Sequence, residues 1–236
     1  RAARHHQAIA KALEDVESGQ CKRLMIFAPP RHGKSMITSE FFPAWYLGRN
    51  PDKYVIHATY AQELAEDFGR KIRNQMADPM FQAIFRECQL STDSASQKRL
   101  ATSRGGSYFA LGVGGAATGR GAHLLIIDDP VKGREEADSE TYRRRLKDWY
   151  RSVAYTRLMP GGAVIIMNTR WHHDDLSGWL LKDHASEGWE VLSLPAIAEE
   201  NDPLDRQPNE ALWPEDYSTD DLLRIKEQSG SREWSA

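Results

Sequence analysis

One eight-residue stretch restricts what this chain can fold into more than any other. Ala28-Pro29-Pro30-Arg31-His32-Gly33-Lys34-Ser35 follows a short apolar run and opens an amphipathic one. This is the pattern of a phosphate-binding loop joining a strand to a helix, with Ala at the position of its first glycine. Each residue type has a physical reason. Gly33 lets the backbone fold so that its N–H groups converge on phosphate oxygens. The partial positive charge of the helix start adds to that field. Lys34 has the reach for the β- and γ-phosphates of a nucleotide, and the Ser35 hydroxyl is a ligand for Mg2+. Pro30, Arg31 and His32 complete the loop as nucleotide-binding candidates. Average composition yields such a match in a chain this long roughly two times in a hundred, before the flanking strand and helix are counted.

The rest of the chain alternates short β-like runs with helical stretches, which predicts an α/β fold with a mainly parallel sheet flanked by helices. Strands are expected over 23–28, 54–59, 123–128, 163–169 and 190–194, each rich in Ile, Val or Leu as a strand buried on both faces must be. Helices are expected from near Gly33, after Thr59, over about 139–151 and over 174–184. Thr59 and Gln62 have capping-box spacing. Residues 97–111, interrupted by Arg104-Gly105-Gly106, read as an antiparallel hairpin. Beyond Leu194 the composition shifts, with Pro195, Pro203, Pro208 and Pro214 set among acidic and polar residues. A core over 1–195 is therefore expected to be followed by a small linker or lid-like segment over 196–236. Within that segment a helix should start at the Ser218-Thr219-Asp220-Asp221 cap and stop at Gly230. The closing residues 231–236 carry no stop signal, so the chain is expected to continue past them.

Composition narrows the function classes. Cys21 and Cys88 form no disulfide framework and no zinc spacing, which points to a reducing compartment. No apolar run is long enough for a bilayer and no signal-peptide pattern opens the chain, so a cytosolic protein with no membrane partner is expected. With 31 Lys+Arg against 34 Asp+Glu, there is no global basic field. Any polyanion must be held by a local patch or by backbone groups.

A second constellation follows the apolar run Leu124-Leu125-Ile126-Ile127, which ends in Asp128-Asp129. In nucleoside triphosphatases with a phosphate loop such a strand lies beside the loop's strand, and its first acid holds the metal. That assigns Asp128 to Mg2+ and leaves Asp129 to orient or deprotonate an attacking water. Asp-Asp-Pro is also good turn chemistry, but beside a phosphate loop the catalytic reading is stronger. Two acids here favour ATP hydrolysis over transfer to a small molecule, which needs an acceptor pocket. Asn168-Thr169-Arg170 then closes the next strand with polar groups suited to sense a γ-phosphate.

Other clusters have plainer readings. Gly112-Val113-Gly114-Gly115-Ala116-Ala117 matches a dinucleotide fingerprint but precedes a strand instead of a helix, so it reads as a mobile loop. His172-His173-Asp174-Asp175 fits no zinc spacing, and its acids read as the cap of the next helix. Arg143, Arg144, Arg145, Lys147 and Arg151 read as a solvated helix face with Glu140 paired to Arg144, the alternative being contact with DNA or a ring neighbour. Trp45, Trp149 and Trp179 read as packing.

Taken in order and spacing, Pro-Pro-Arg-His-Gly-Lys-Ser, Leu-Ile-Ile-Asp-Asp-Pro-Val-Lys and Asn-Thr-Arg-Trp-His-His-Asp-Asp-Leu resemble the ATPase domain of the large terminase subunit of tailed bacteriophages. The likeness runs from His6-Gln7 to Trp234. It implies a P-loop NTPase of the additional-strand, catalytic-acid type, with ATP and Mg2+ as ligands. It also implies translocation of double-stranded DNA into a procapsid by a homo-oligomeric ring on the portal protein, with the small terminase subunit as a further partner, in the host cytoplasm. Residue by residue, the resemblance puts Lys34 and Ser35 on the phosphates and Mg2+, Asp128 on the metal, and Asp129 in the catalytic-carboxylate position, where many relatives carry Glu. It puts Asn168, Thr169 and Arg170 in the coupling motif and Gln7 on adenine. Arg31 matches a cis-acting arginine and Arg120 an arginine finger offered to a neighbouring subunit, groups that neutralise transition-state charge. The acidic cluster of the family's nuclease half is missing, so no nuclease activity is expected in this chain. Two alternatives remain open: a helicase-like ATPase that remodels nucleic acid, and a degenerate nucleotide-binding assembly protein that does not hydrolyse.

Overall fold

Strands whose successive side chains are all apolar must be covered on both sides, and that is how this chain is built. The computed structural model describes residues 2–117, 119–230 and 234, so most of the closing stretch 231–236 lies outside the described residues. In chain order the elements are α1 (Arg4–Glu17), β1 (Arg23–Phe27), a π-helical turn (Met36–Phe41) running into α2 (Phe42–Arg49), β2 (Tyr54–Thr59), α3 (Gln62–Ala77) and α4 (Pro79–Ile84). There follow β3 (Leu90–Ala95), β4 (Arg99–Thr102), β5 (Ser107–Gly112), β6 (Ala122–Asp128), α5 (Arg134–Asp138) and α6 (Glu140–Trp149), which winds on to Arg157. The chain then forms β7 (Leu158–Asn168), α7 (Leu176–Asp183), β8 (Glu190–Ser193) and α8 (Thr219–Ser229).

One eight-stranded sheet results, in the order β3-β4-β5-β2-β6-β7-β1-β8. The strands from β5 to β8 along that order pair in parallel, and β3 and β4 turn antiparallel at one edge. Alternate residues serve opposite layers. Leu24, Ile26, Leu124, Ile126 and Ile165 pack with Ile9, Leu13, Leu47 and Ile72 of α1 to α3. Met25, Leu125, Ile127, Val164 and Ile166 pack with Leu146, Trp149, Leu176 and Leu180 of α6 and α7. Full burial of one such side chain contributes about 1.5–3 kcal/mol, so both layers clamp the sheet firmly beneath its functional end.

Sequence reading sets the acidic strand directly against the loop's strand. Instead β7 lies between them, pairing Asn168 with Phe27 and Met167 with Asp128. The carboxyl ends of β1, β2, β6 and β7 therefore meet at one edge, the place where open α/β sheets bind ligands.

Several local expectations are corrected. β7 starts at Leu158, five residues before the predicted 163, because Leu158 pairs with Ala122 across a register shift that absorbs Gly161 and Gly162. The hairpin around Arg104 gains a third strand, β3. Thr59 and Gln62 make no capping box: the N-cap of α3 is Ala61, and Gln62 Oε1 accepts the Gly112 N–H at 2.8 Å, terminating β5. Arg143 and Lys147 join Asp174, and Arg151 joins Asp148, so the basic face of α6 is paired differently from the expected Glu140–Arg144 contact. Ser218 caps α8 and Gly230 ends it, as read from the sequence.

The irregular stretch after β8 is held by a buried ion pair, Asp202–Arg206 at 2.6 Å. Arg206 also donates to the carbonyls of Pro195 and Glu210. Both cysteines are buried and free. Among the described residues no helix is long and apolar enough to cross a membrane.

Candidate functional site

The phosphate loop leaves β1 at Phe27 and is stiffened by Pro29 and Pro30. Arg31 (φ 62°) and Gly33 (φ 78°) both take the left-handed conformation, which turns successive peptide planes inward. Lys34 and Ser35 open the helix. The buried Lys34 ammonium donates to Thr169 Oγ1 at 3.3 Å and lies 3.5 Å from Asp129 Oδ2. Ser35 Oγ donates to Asp128 Oδ1 at 3.3 Å, and Ser39 Oγ donates to Oδ2 at 2.6 Å. Ser39 escaped sequence reading, although its i, i+4 spacing from Ser35 puts both hydroxyls on one helix face.

Burial, followed by the neighbouring Asp129 carboxylate, pushes the Asp128 carboxyl well above the usual range; Ser39, Lys34 and Ser35 pull the other way. The Ser35 hydroxyl and the Asp128 carboxylate are hard oxygen donors 3.3 Å apart, close to the about 2.9 Å separating adjacent ligands of octahedral Mg2+. Among the described residues no group of three His, Cys, Asp or Glu forms an all-protein cage.

Asp129 has φ 40°, a conformation costly for a side chain other than glycine. Its surroundings hold it there. Its N–H donates to the Met167 carbonyl at 2.8 Å, its carbonyl accepts from Tyr60, and its Oδ1 accepts the Thr169 N–H at 2.9 Å. The carboxylate is thereby aimed between Lys34 and the tip of β7.

Behind that tip lies a network that sequence reading reduced to a helix cap. Asp175 does cap α7, accepting the Gly178 N–H at 2.7 Å. It also accepts from Arg170 Nε at 2.7 Å and from Asn168 Nδ2 at 3.3 Å. Ser177 Oγ donates to Asn168 Oδ1 at 2.9 Å. The Arg170 guanidinium lies 4.8 Å over the Phe27 ring, beneath the start of the phosphate loop. Burial raises the Asp175 pKa and Arg170 opposes it.

Lys34, Ser35, Asp128, Asp129, Asn168 and Thr169 are therefore brought together, with Arg170 one layer behind. Pro30 and Arg31 are exposed on the loop. His32 is buried, with Nδ1 donating to the Pro30 carbonyl at 2.9 Å and its ring stacked on Tyr217 at 4.9 Å. Gln7 is exposed and donates to the Ala2 carbonyl; its neighbours His5 and His6 face the loop instead. Arg120 stands before the start of β6, a strand that spans roughly 20 Å to Asp128. Its guanidinium lies 4.0 Å from the centre of the Phe109 ring.

Comparison with known proteins places this geometry in context. A protein-family model described as "Terminase large subunit, T4likevirus-type, N-terminal" matches residues 25–227. No curated protein sequence matches. Among solved structures, the HK97 bacteriophage large terminase superposes with a TM-score of 0.56 at 14% identity, over 87% of this chain and 41% of that one. A point mutant of the Thermus phage P74-26 large terminase ATPase domain superposes with a TM-score of 0.51 at 11% identity, over 91% of this chain and 86% of that one. The chain thus spans about two-fifths of the HK97 protein and most of the isolated Thermus phage domain. At these identities the structural likeness speaks for the fold.

Proposed function

This chain belongs to the family of T4-like-virus-type terminase large subunits, and from that footing we propose that it is a Mg2+-dependent ATP hydrolase that powers packaging of double-stranded viral DNA into a procapsid. The observation that carries the hydrolase reading is the convergence of two chain segments on Asp129 at the end of β6: Lys34 from the phosphate loop and Thr169 just past β7.

The N–H groups of the loop and the Lys34 ammonium bind the β- and γ-phosphates. A phosphate entering the loop competes with Asp129 and Thr169 for that ammonium, which releases the Asp129 carboxylate towards water. Ser35 and Asp128 would hold Mg2+, which would supply positive charge to offset that on the phosphate oxygens. Asp129 takes the proton of the attacking water as its oxygen bonds to the γ-phosphorus; the bond to the β–γ bridging oxygen breaks, leaving ADP and phosphate. Asn168, Thr169 and Arg170 register the loss of that phosphate through the Asp129–Thr169 contact and pass it to α7. Arg31, on the loop, acts in cis. Arg120, a strand length from its own Asp128, serves a neighbour in a homo-oligomeric ring. Gln7 is assigned to adenine, and residues 196–236 to a lid over the core.

The same reading gives the portal protein, the procapsid and the small terminase subunit as partners, in the bacterial cytoplasm. Steady-state ATP hydrolysis with Mg2+, across protein concentrations and with double-stranded DNA, tests it. Turnover that rises more than linearly with protein, increases with DNA and disappears in Lys34→Ala is expected. Tight ATP binding without turnover at any concentration would leave the degenerate binding protein as the better reading.

A further inference from the structure

The first helix reaches the phosphate loop through two imidazoles that the mechanism above does not use. His6 Nδ1 accepts the Ala3 N–H at 3.3 Å, so the ring proton sits on Nε2, which donates to the His32 carbonyl at 3.2 Å. His5 Nε2 donates to the same carbonyl at 3.1 Å. One loop carbonyl thus takes two imidazole N–H groups from successive residues of α1.

We propose that His5 and His6 are positioning residues for the phosphate loop: they hold the His32 carbonyl outward and so turn the Gly33 N–H inward, toward the nucleotide phosphates. The peptide unit is planar and trans, so its carbonyl and its N–H point in opposite directions, and fixing one fixes the other. The inference rests on the nucleotide-site reading of the loop.

Two further observations support it. Gly33 approaches α1 so closely that a Cβ would lie 2.7 Å from His6 Nε2; the glycine is needed for the contact as well as for the turn. Trp213, from the stretch after β8, packs edge-on against both rings, 5.5 Å from His5 and 4.8 Å from His6, and backs them against the loop. His5 alone could be core, since it continues the buried stripe of Ile9, Leu13 and Val16. His6 is off that stripe and half-buried, yet its donor goes to the same carbonyl. Burial, then the neighbouring His6, lowers the His5 pKa to about 4, so that ring donates its proton without placing a charge beside the loop.

The test compares His6→Leu, which removes the donor, with His6→Gln, whose amide N–H has similar reach. Amide hydrogen exchange at Gly33, Lys34 and Ser35 is measured without nucleotide, and the Kd of a fluorescent ATP analogue is measured with Mg2+. Losing one hydrogen bond corresponds to about a fivefold change. His6→Leu should therefore speed exchange at these amides and weaken the analogue by about that factor, and His6→Gln should restore both. Unchanged exchange in a folded His6→Leu variant, or no restoration by His6→Gln, would overturn the proposal. If His6→Leu does not fold, His6→Asn, polar but too short to reach, carries the same comparison. Should the wild-type chain bind no nucleotide, the ATPase reading fails while the exchange measurement still decides whether the two imidazoles order the loop.

Discussion

On the β6–β7 side of the site, Asp128, Asp129 and Asp175 are tied to hydroxyls, an ammonium, a guanidinium and backbone N–H groups. On the α1 side, the phosphate loop is tied by imidazole N–H groups backed by an indole. The two flanks bear on the same loop and strand tips but by different physics. A buried carboxylate that loses its partner is left charged in a poor solvent, which strongly penalises any other arrangement. The charged flank is therefore restricted to one geometry, which suits metal binding and activation of water. Neutral donors can shift at the cost of a hydrogen bond or two. In the proposed reading they order the loop from the side opposite the carboxylates.

That contrast can be broken at several points. Lys34 joins the loop to the charged flank through both Asp129 and Thr169. Lys34→Ala should lower hydrolysis by about 10²–10³-fold, read as steady-state phosphate release. Asp175→Asn isolates charge from capping, because Asn caps a helix as well as Asp. It should leave α7 intact while unpairing the partly exposed Arg170, lowering stability by about 2 kcal/mol and Tm by about 6 °C. An unchanged Tm would mean that the network is only a cap.

On the neutral flank, Gly33→Ala meets both the positive φ and the His6 ring. It should weaken nucleotide binding about tenfold, a local cost of about 1–2 kcal/mol, with a smaller effect on Tm than Asp175→Asn. Away from the site, the buried His57 of β2, bonded to Tyr108, also makes the fold acid-sensitive. Burial lowers the His57 pKa to about 3, below its unfolded value of about 6.5. The unfolded chain therefore binds the proton first, so stability is full above pH 6.5 and falls as pH drops towards 3. The loss at pH 5 is about 2 kcal/mol, and His57→Gln should flatten that slope in denaturant titrations.

What the sequence discloses divides along a related line. Elements set by local pattern are legible: β2 falls on the predicted 54–59, and α8 runs from its Ser218 cap to Gly230. Strand-to-loop spacing likewise puts Lys34, Ser35, Asp128 and Asp129 at junctions that the fold brings side by side. The missed features depend on distant partners. Gln62 pairs with a strand end fifty residues away and not with Thr59, and Pro-Gly-Gly before Ala163 hides the start of β7. His5 and His6 meet a carbonyl twenty-seven and twenty-six residues downstream, respectively, a contact no periodicity announces. Asp175 was visible only as a cap because its other two bonds, to Asn168 and Arg170, require the β7 tip to fold back on α7.

The division of labour between the two adjacent acids is tested most directly by Asp129→Asn, in a single-turnover experiment that records ATP binding and phosphate formation separately. The geometry predicts near-wild-type affinity for Mg-ATP, since Ser35 and Asp128 are untouched, and phosphate formation slowed by about 10²–10⁴-fold. Wild-type phosphate formation in that variant would contradict the assignment of Asp129 to the attacking water, and loss of Mg-ATP binding would move the metal site onto it.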